Sequence, residues 1–528
     1  MQEEVENKTV NLAVKTGKVT AKTLWKALVL YVRHRQKKAA EKKIEGESPV
    51  KGEQSVKELI GQNQGVSSMD VGDAGIRDFK KIANKYGVDF AIVKDKTEEP
   101  PRYTVFFKAR DADAITSVLK EYAELIARKG VCIMPGQEVV IRTAPEQLAF
   151  LEMLVEECYL AGSGKVCVEW RSDALTRLDV QYQTAETLGT VENWEKERLQ
   201  HKLDVLPANI YLDSDDPDGL AGVDQAKLAG ARQKRFEVTR KYSDAMENKY
   251  QWCVAAVPGR KWAEKVFPGI PSDEAVEKLW LAILKCARAE SRPIENWEKH
   301  NAELRQKCDW LNSLKLRRLK YKSLISGTDF EVGLMPQMRF MGGADALETP
   351  EGLKNKVFFN ANIPSEEIFT TPLKGDANGI LYATRPLSYR GVLIENFSVT
   401  FKDGKVSAVH AEKNEETLRL MVQMDEGASM LGECALVPYH SPIRDSGILF
   451  YNTLLDENAS CHMALGDGYS SCLENAANYS PEEARKLGVN YSMIHEDFMI
   501  GTEDLSIIGI SEDGKEHWIF INGNWAEE

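Results

Sequence analysis

No apolar run in this chain can cross a bilayer. The longest near the start, ALVLYV, has six residues where about 20 are needed. The opening MQEEVEN is acidic and no long apolar stretch follows it, so neither a secretory signal nor a membrane span is expected. Cysteine is sparse: nine residues, an odd number, with no CxxC spacing. Most lie in apolar runs such as KVCVEW, which reads as buried thiols in a reducing cytosol rather than a disulfide framework. Histidine is sparser still, at eight residues, and no HExxH helix occurs, which excludes that class of zinc protease. No internal repeat is present. A cytoplasmic protein is the expectation.

What is present is ordinary globular composition, 43% hydrophobic and 28% charged, over 528 residues. That length suggests about three domains. The net charge of −13 is unevenly spread. Residues 1–130 carry 25 Lys+Arg against 19 Asp+Glu, whereas the remainder carries 43 against 62. A basic front on an acidic body suggests modules with different partners. The front suits nucleic acid or an acidic protein. The body lacks the cationic excess that phosphate contacts require.

The pattern predicts a multidomain α/β and α+β chain. Residues 19–43 read as one helix with a basic second half, and 44–74 as a polar, Gly/Ser-rich linker. Residues 75–125 read as αββα, half of a ferredoxin-like arrangement, so 1–125 forms a small α+β module. VCIMPGQEVVIRT, the amphipathic APEQLAFLEMLVEECYLAG and KVCVEWRS then give β-α-β, opening an α/β domain with a mostly parallel sheet over 126–325. Strands dominate from Gly327 onward, so 326–528 reads as a β-rich α+β domain.

The candidate chemistry concentrates there. IPSEEIFTTP offers Glu366 and Glu367; adjacent glutamates are usually a solvated loop. LGECALVP sets Glu433 inside an apolar run, a costly place for a carboxylate unless it is paired or metal-bound. LLDENASCHMALGDGYS offers Asp456, Glu457, His462 and Tyr469. In IHEDF, strand alternation puts His495 and Asp497 on one face and Glu496 on the other. Alternation alone does not choose between a metal site, a His–Asp dyad and a polar strand face. His410, His440 and His517 have no ligand-like neighbours and read as surface or loop residues. Four carboxylates in one pocket repel one another, and two divalent cations would cancel that charge. Two-metal hydrolytic sites use such a mix, with a bridging carboxylate and a metal-activated hydroxide. Oxygen ligands with a few imidazoles suit zinc, cobalt or manganese and tolerate magnesium.

IPSEEIFTTP, GECALVP, DENASCHMALG and IHEDFMIGTEDLSI, in that order, resemble the aminopeptidase T/AmpS family of metallo-aminopeptidases. The resemblance runs from about Tyr122 to the C-terminus. It implies a two-domain peptidase that removes single residues from peptide N-termini, needs two divalent metal ions and forms homodimers. The implied ligands are Glu367, Glu433, Glu457, His462, His495 and Asp497, with Glu433 bridging. Tyr469 is implied to stabilise the tetrahedral intermediate. Glu366 is preferred over Glu433 for moving the proton to the leaving amine, because a bridging carboxylate has its lone pairs occupied. MRFMGG (Met338–Gly343) departs from the family pattern, where a Trp is expected before the Gly pair. KTVNLAVKTGKVTAKTLWKAL and DFKKIANKYGVDFAIVKDK resemble PcfB-like proteins of conjugative elements. That implies an alternative role, an accessory protein whose residues 1–125 bind a conjugation-machinery partner or DNA.

Overall fold

A computed structural model describes residues 53, 66–72, 90–95, 102–108, 118–389 and 391–526. The chain divides into two compact units, Met1–Tyr122 with Ile270–Glu277, and Ala123–Gly269 with Lys278–Glu528.

In the first unit, Phe90–Asp95 and Arg102–Lys108 form antiparallel strands where alternation placed them. A third strand, Val66–Gly72, pairs antiparallel with Arg102–Lys108. These residues belong to the segment expected to be a linker. Their serines and glycine read as loop, but each strand residue has a partner on the neighbouring backbone, and those hydrogen bonds do not depend on side-chain character. The helix expected over 19–43 lies outside the described residues.

The second unit contains three main sheets. The first has five parallel strands in the order Asn362–Ile363, Trp252–Ala256, Ala208–Asp213, Glu138–Thr143 and Lys165–Trp170. Its β-α-β opening is as expected: the helix Leu148–Leu160 follows a 3-10 turn started by Pro145 and links two parallel strands. Phe150, Leu151, Leu154 and Cys158 form its buried stripe. A second, nine-stranded sheet is antiparallel and includes the long hairpin Val392–Lys402 with Lys405–Lys413. The third carries the candidate residues. Its antiparallel order is Met341–Gly342, Ile368–Thr370, Leu431–Leu436, His462–Gly466 and His495–Met499.

Two adjacent inner strands of that third sheet, LGECAL and HMALG, are buried at every residue. A strand covered on both faces reads as a continuous apolar run. Glu433 and His462 are its polar exceptions. The mixed α/β architecture, with parallel and antiparallel sheets, agrees with the expected class. All nine cysteines are free thiols. Burial pushes Cys158, Cys286, Cys308, Cys461 and Cys472 up to about 12, so they stay protonated and inert. Among the described residues no helix is long and apolar enough to cross a membrane.

Candidate metal centre

Register brings the acids together. Glu433 pairs with Ala464, and Ala464 pairs with Asp497 on the next strand. Directly paired residues point to the same face of a sheet. Two carboxylates therefore flank one methyl group, and the small side chain leaves room between them. Two residues along the strand in either direction, on the same face, His462 pairs with Ala435, and His495 pairs with Gly466. Gly466 has φ of 107°, and a Cβ there would lie 2.0 Å from the Ile494 carbonyl oxygen. Only glycine serves at that position.

Both imidazoles are oriented from behind. His462 Nδ1 lies 3.0 Å from the Glu457 carbonyl oxygen and 3.1 Å from that of Ser460. His495 Nδ1 lies 2.7 Å from the Asp467 carbonyl oxygen. A carbonyl only accepts, so each Nδ1 carries the hydrogen and donates. Each Nε2 then presents its lone pair to the carboxylates when the ring is neutral. His462 Nε2 is 3.2 Å from Glu367 Oε2 and 3.9 Å from Asp497 Oδ1. His495 Nε2 is 3.0 Å from Glu433 Oε2 and 3.6 Å from Asp497 Oδ1.

Two groups result. Glu367, Glu433 and His462 bring ligand atoms within 4.8 Å of one another, and so do Glu433, His495 and Asp497. Glu433 belongs to both. Glu457, at the end of the short helix Thr453–Glu457, lines the same cavity as these five and Tyr469. The cavity has a volume of about 500 Å³.

Electrostatics identify the strain of this arrangement. Burial raises Glu433 and Glu457 above the usual carboxylate range, and the neighbouring Asp497 and Glu367 push both further. Burial alone would lower the two histidines, but the surrounding carboxylates outweigh it and raise both. Burial and the nearby acids hold Tyr469 well above 10, so it keeps its phenolic proton. Its hydroxyl is 3.1 Å from His495 Nε2. Asp497 Oδ1 is buried with no hydrogen-bond partner, a costly state for a carboxylate oxygen. Clustered acids, imidazole lone pairs turned toward them and one orphaned oxygen fit divalent cations.

Glu366 is placed elsewhere. Glu367 faces the cavity, and Glu366 does not line it. Both guanidinium nitrogens of Arg288 grip Glu366, with Nη2 at 2.8 Å from Oε2. Asn458 Oδ1 accepts the Glu366 backbone N–H at 2.7 Å. A carboxylate engaged this way is a fixed anchor rather than a mobile proton carrier. Asp456 is likewise structural: it accepts from Arg385 at 3.0 Å and from the backbone N–H groups of Phe450 and Asn452. Glu496 does not line the cavity.

Several contributors escaped sequence reasoning. Thr371 holds Tyr469 in place, accepting from its N–H at 2.8 Å and donating to its carbonyl at 3.1 Å. Asp467 fixes His495 through its backbone, which no side-chain pattern reports. His300 Nε2 donates to the Ser365 carbonyl at 2.7 Å and steadies the loop that carries Glu367. Met341, Gly342 and Gly343, from the segment that departs from the family pattern, line the cavity.

The model of the thermophilic metalloprotease family (M29) matches residues 115–525. Aminopeptidase AmpS of Bacillus subtilis is 38% identical over 416 residues, covering 78% of this chain and 100% of that protein. Aminopeptidase T of Thermus thermophilus is 35% identical over 419 residues, again covering 78% and 100%. The solved structure of wild-type AmpT from Thermus thermophilus superposes with a TM-score of 0.70 at 34% identity, covering 78% of this chain and all of that one. The family match begins at residue 115. The PcfB-like resemblance of residues 1–125, with its accessory role, finds no support in these comparisons and falls mostly outside the described residues. Through residues 115–525, the chain belongs to the thermophilic metalloprotease family M29.

Proposed function

We propose that this chain is an aminopeptidase that removes single residues from peptide N-termini at a site for two divalent cations. The observation that carries the reading is the sharing of Glu433 between two ligand groups. Glu367, Glu433 and His462 would hold one ion, and Glu433, His495 and Asp497 the other. Glu457, beside both groups in the cavity, would complete the set. Zinc, cobalt, manganese and magnesium are the candidates for this donor chemistry. Bound ions would supply Lewis acidity and a nucleophile at neutral pH.

The chain's own residues do the rest. Tyr469 keeps its proton and lines the cavity beside His495, so its hydroxyl can donate to the oxygen that becomes negative as the carbonyl is attacked. Thr371 fixes the backbone of Tyr469 and thereby the direction of that donation. Arg288, by gripping Glu366, fixes the loop that presents Glu367. Phe359, Phe369 and Met341 line the cavity with apolar surface suited to a side chain of the substrate.

The test is hydrolysis of leucyl peptides by the purified protein before and after chelation. Activity lost with the metal and restored by a single divalent ion supports the reading. Undiminished activity in the metal-free protein contradicts it.

A further inference from the structure

The cavity holds more acids than the candidate ligands. Asp244, Glu247, Asp345, Glu348 and Asp467 also line it. Four of these are engaged. Asp244 pairs with Arg240 at 3.3 Å and with Arg485 at 3.6 Å. Glu348 accepts from Arg339 at 3.0 Å. Asp467 accepts the Ser492 N–H at 3.0 Å. Glu247 accepts from the Ser470 hydroxyl.

Asp345 differs. It sits in the two-residue strand Asp345–Ala346, paired with Phe358–Phe359, and is half-buried in the cavity wall. Among the described residues, no hydrogen bond or ion pair engages its carboxylate. Burial pushes it up to about 7; Arg339 and Arg305 pull it down, and Glu367 and Glu348 push it up. A desolvated carboxylate without a partner is costly unless a cation completes it. Its segment runs beside a candidate ligand: Gly342, three residues earlier, pairs with Ile368, a Cβ on Gly342 would lie 2.8 Å from the Glu367 carbonyl oxygen, and Asp345 and Glu367 line the same cavity.

An enzyme that removes only the first residue must recognise a free α-ammonium group. That group is two bonds from the scissile carbonyl carbon, so its receptor has to lie close to the ligand set. Of the additional acids, Asp345 alone combines proximity to a candidate ligand with a carboxylate that has no partner among the described residues. We propose that Asp345 receives the α-ammonium group of the substrate and so restricts cleavage to the first peptide bond. The inference rests on the aminopeptidase reading.

The test compares two ligands that differ at one group. L-leucine carries the α-ammonium, and L-2-hydroxy-4-methylpentanoate replaces it with a hydroxyl; neither has a charged side chain. Calorimetric binding of each to the metal-loaded wild type, Asp345→Asn and Asp345→Glu gives a preference for the amine. Wild type and Asp345→Glu should prefer leucine by at least about tenfold, and Asp345→Asn should fall to within about threefold. Metal content and melting temperature should be unchanged, and KM for a leucyl peptide should rise more than kcat falls. An undiminished leucine preference in Asp345→Asn overturns the inference. So does a wild type that binds the two ligands equally. Failure of the aminopeptidase reading shows separately, as a metal-loaded wild type that leaves leucyl peptides intact.

Discussion

Arg288 Nη2 donates to Glu366 Oε2 at 2.8 Å, and the second guanidinium nitrogen takes the other carboxylate oxygen. Glu366 is buried and the Arg288 side chain is 23% exposed. Removing one partner of a buried pair strands the other charge, at a cost of about 3–5 kcal/mol. Arg288→Ala should therefore lower unfolding free energy by about that amount, read from denaturant titration. The double replacement Arg288→Met with Glu366→Leu should recover much of the loss. If the double variant proves as unstable as the single one, the pair is not the cause.

Ala464 separates Glu433 from Asp497 on one rung. It is fully buried, so a larger side chain has nowhere to go but between the carboxylates. Ala464→Val should cost about 1–3 kcal/mol from overpacking. Its more telling effect should be on metal affinity, which falls as the two acids are forced apart. Unchanged affinity, measured by competition with a chelator, would contradict the rung geometry.

Tyr469 is positioned by Thr371 and keeps its proton through burial. Tyr469→Phe should reduce kcat by about 10²–10³-fold, the cost of one oxyanion donor. Metal content should stay the same. Thr371→Val should reduce kcat less, because it loosens the donor without deleting it. Loss of bound metal in Tyr469→Phe would assign the residue to the ligand set instead.

Asp504 lies far from this chemistry in role. Burial would raise its pKa, but four hydrogen bonds outweigh it: from the Ser323 and Thr502 hydroxyls at 2.7 and 2.6 Å, and from the Leu324 and Ile325 N–H groups at 2.7 and 3.1 Å. Together they hold it down at about 2. A carboxyl depressed on folding stabilises the protein above its unfolded value of about 4 and loses that contribution as pH falls through the folded one. The stability difference between wild type and Asp504→Asn should therefore be constant near neutrality and shrink as pH drops from about 4 toward about 2. A difference that does not change over that window would contradict this account.

Much of the site was legible because its signals are local. Alternation in IHEDF put His495 and Asp497 on one face, and a carboxylate inside LGECAL demanded a partner. The parallel sheet followed from the apolar runs of a β-α-β pattern. Other features depend on pairing between distant segments. Nothing in SEE says which glutamate faces the cavity; Arg288, 78 residues away, decides it. The Ala464 gap exists only once three strands are in register. Val66–Gly72 carries loop-like residues and becomes a strand through its neighbour's backbone. Asp345 follows a Gly pair in an unremarkable segment, and only the cavity reveals it as an acid without a partner.

The central claim is that Glu433 joins two ions. Its most direct test is the metal stoichiometry of wild type and Glu433→Gln, by elemental analysis after equilibration with one divalent metal. The account predicts two ions per wild-type chain and loss of at least one in the variant, which should otherwise remain folded. Two ions retained in Glu433→Gln, or a single ion in the wild type, would contradict it.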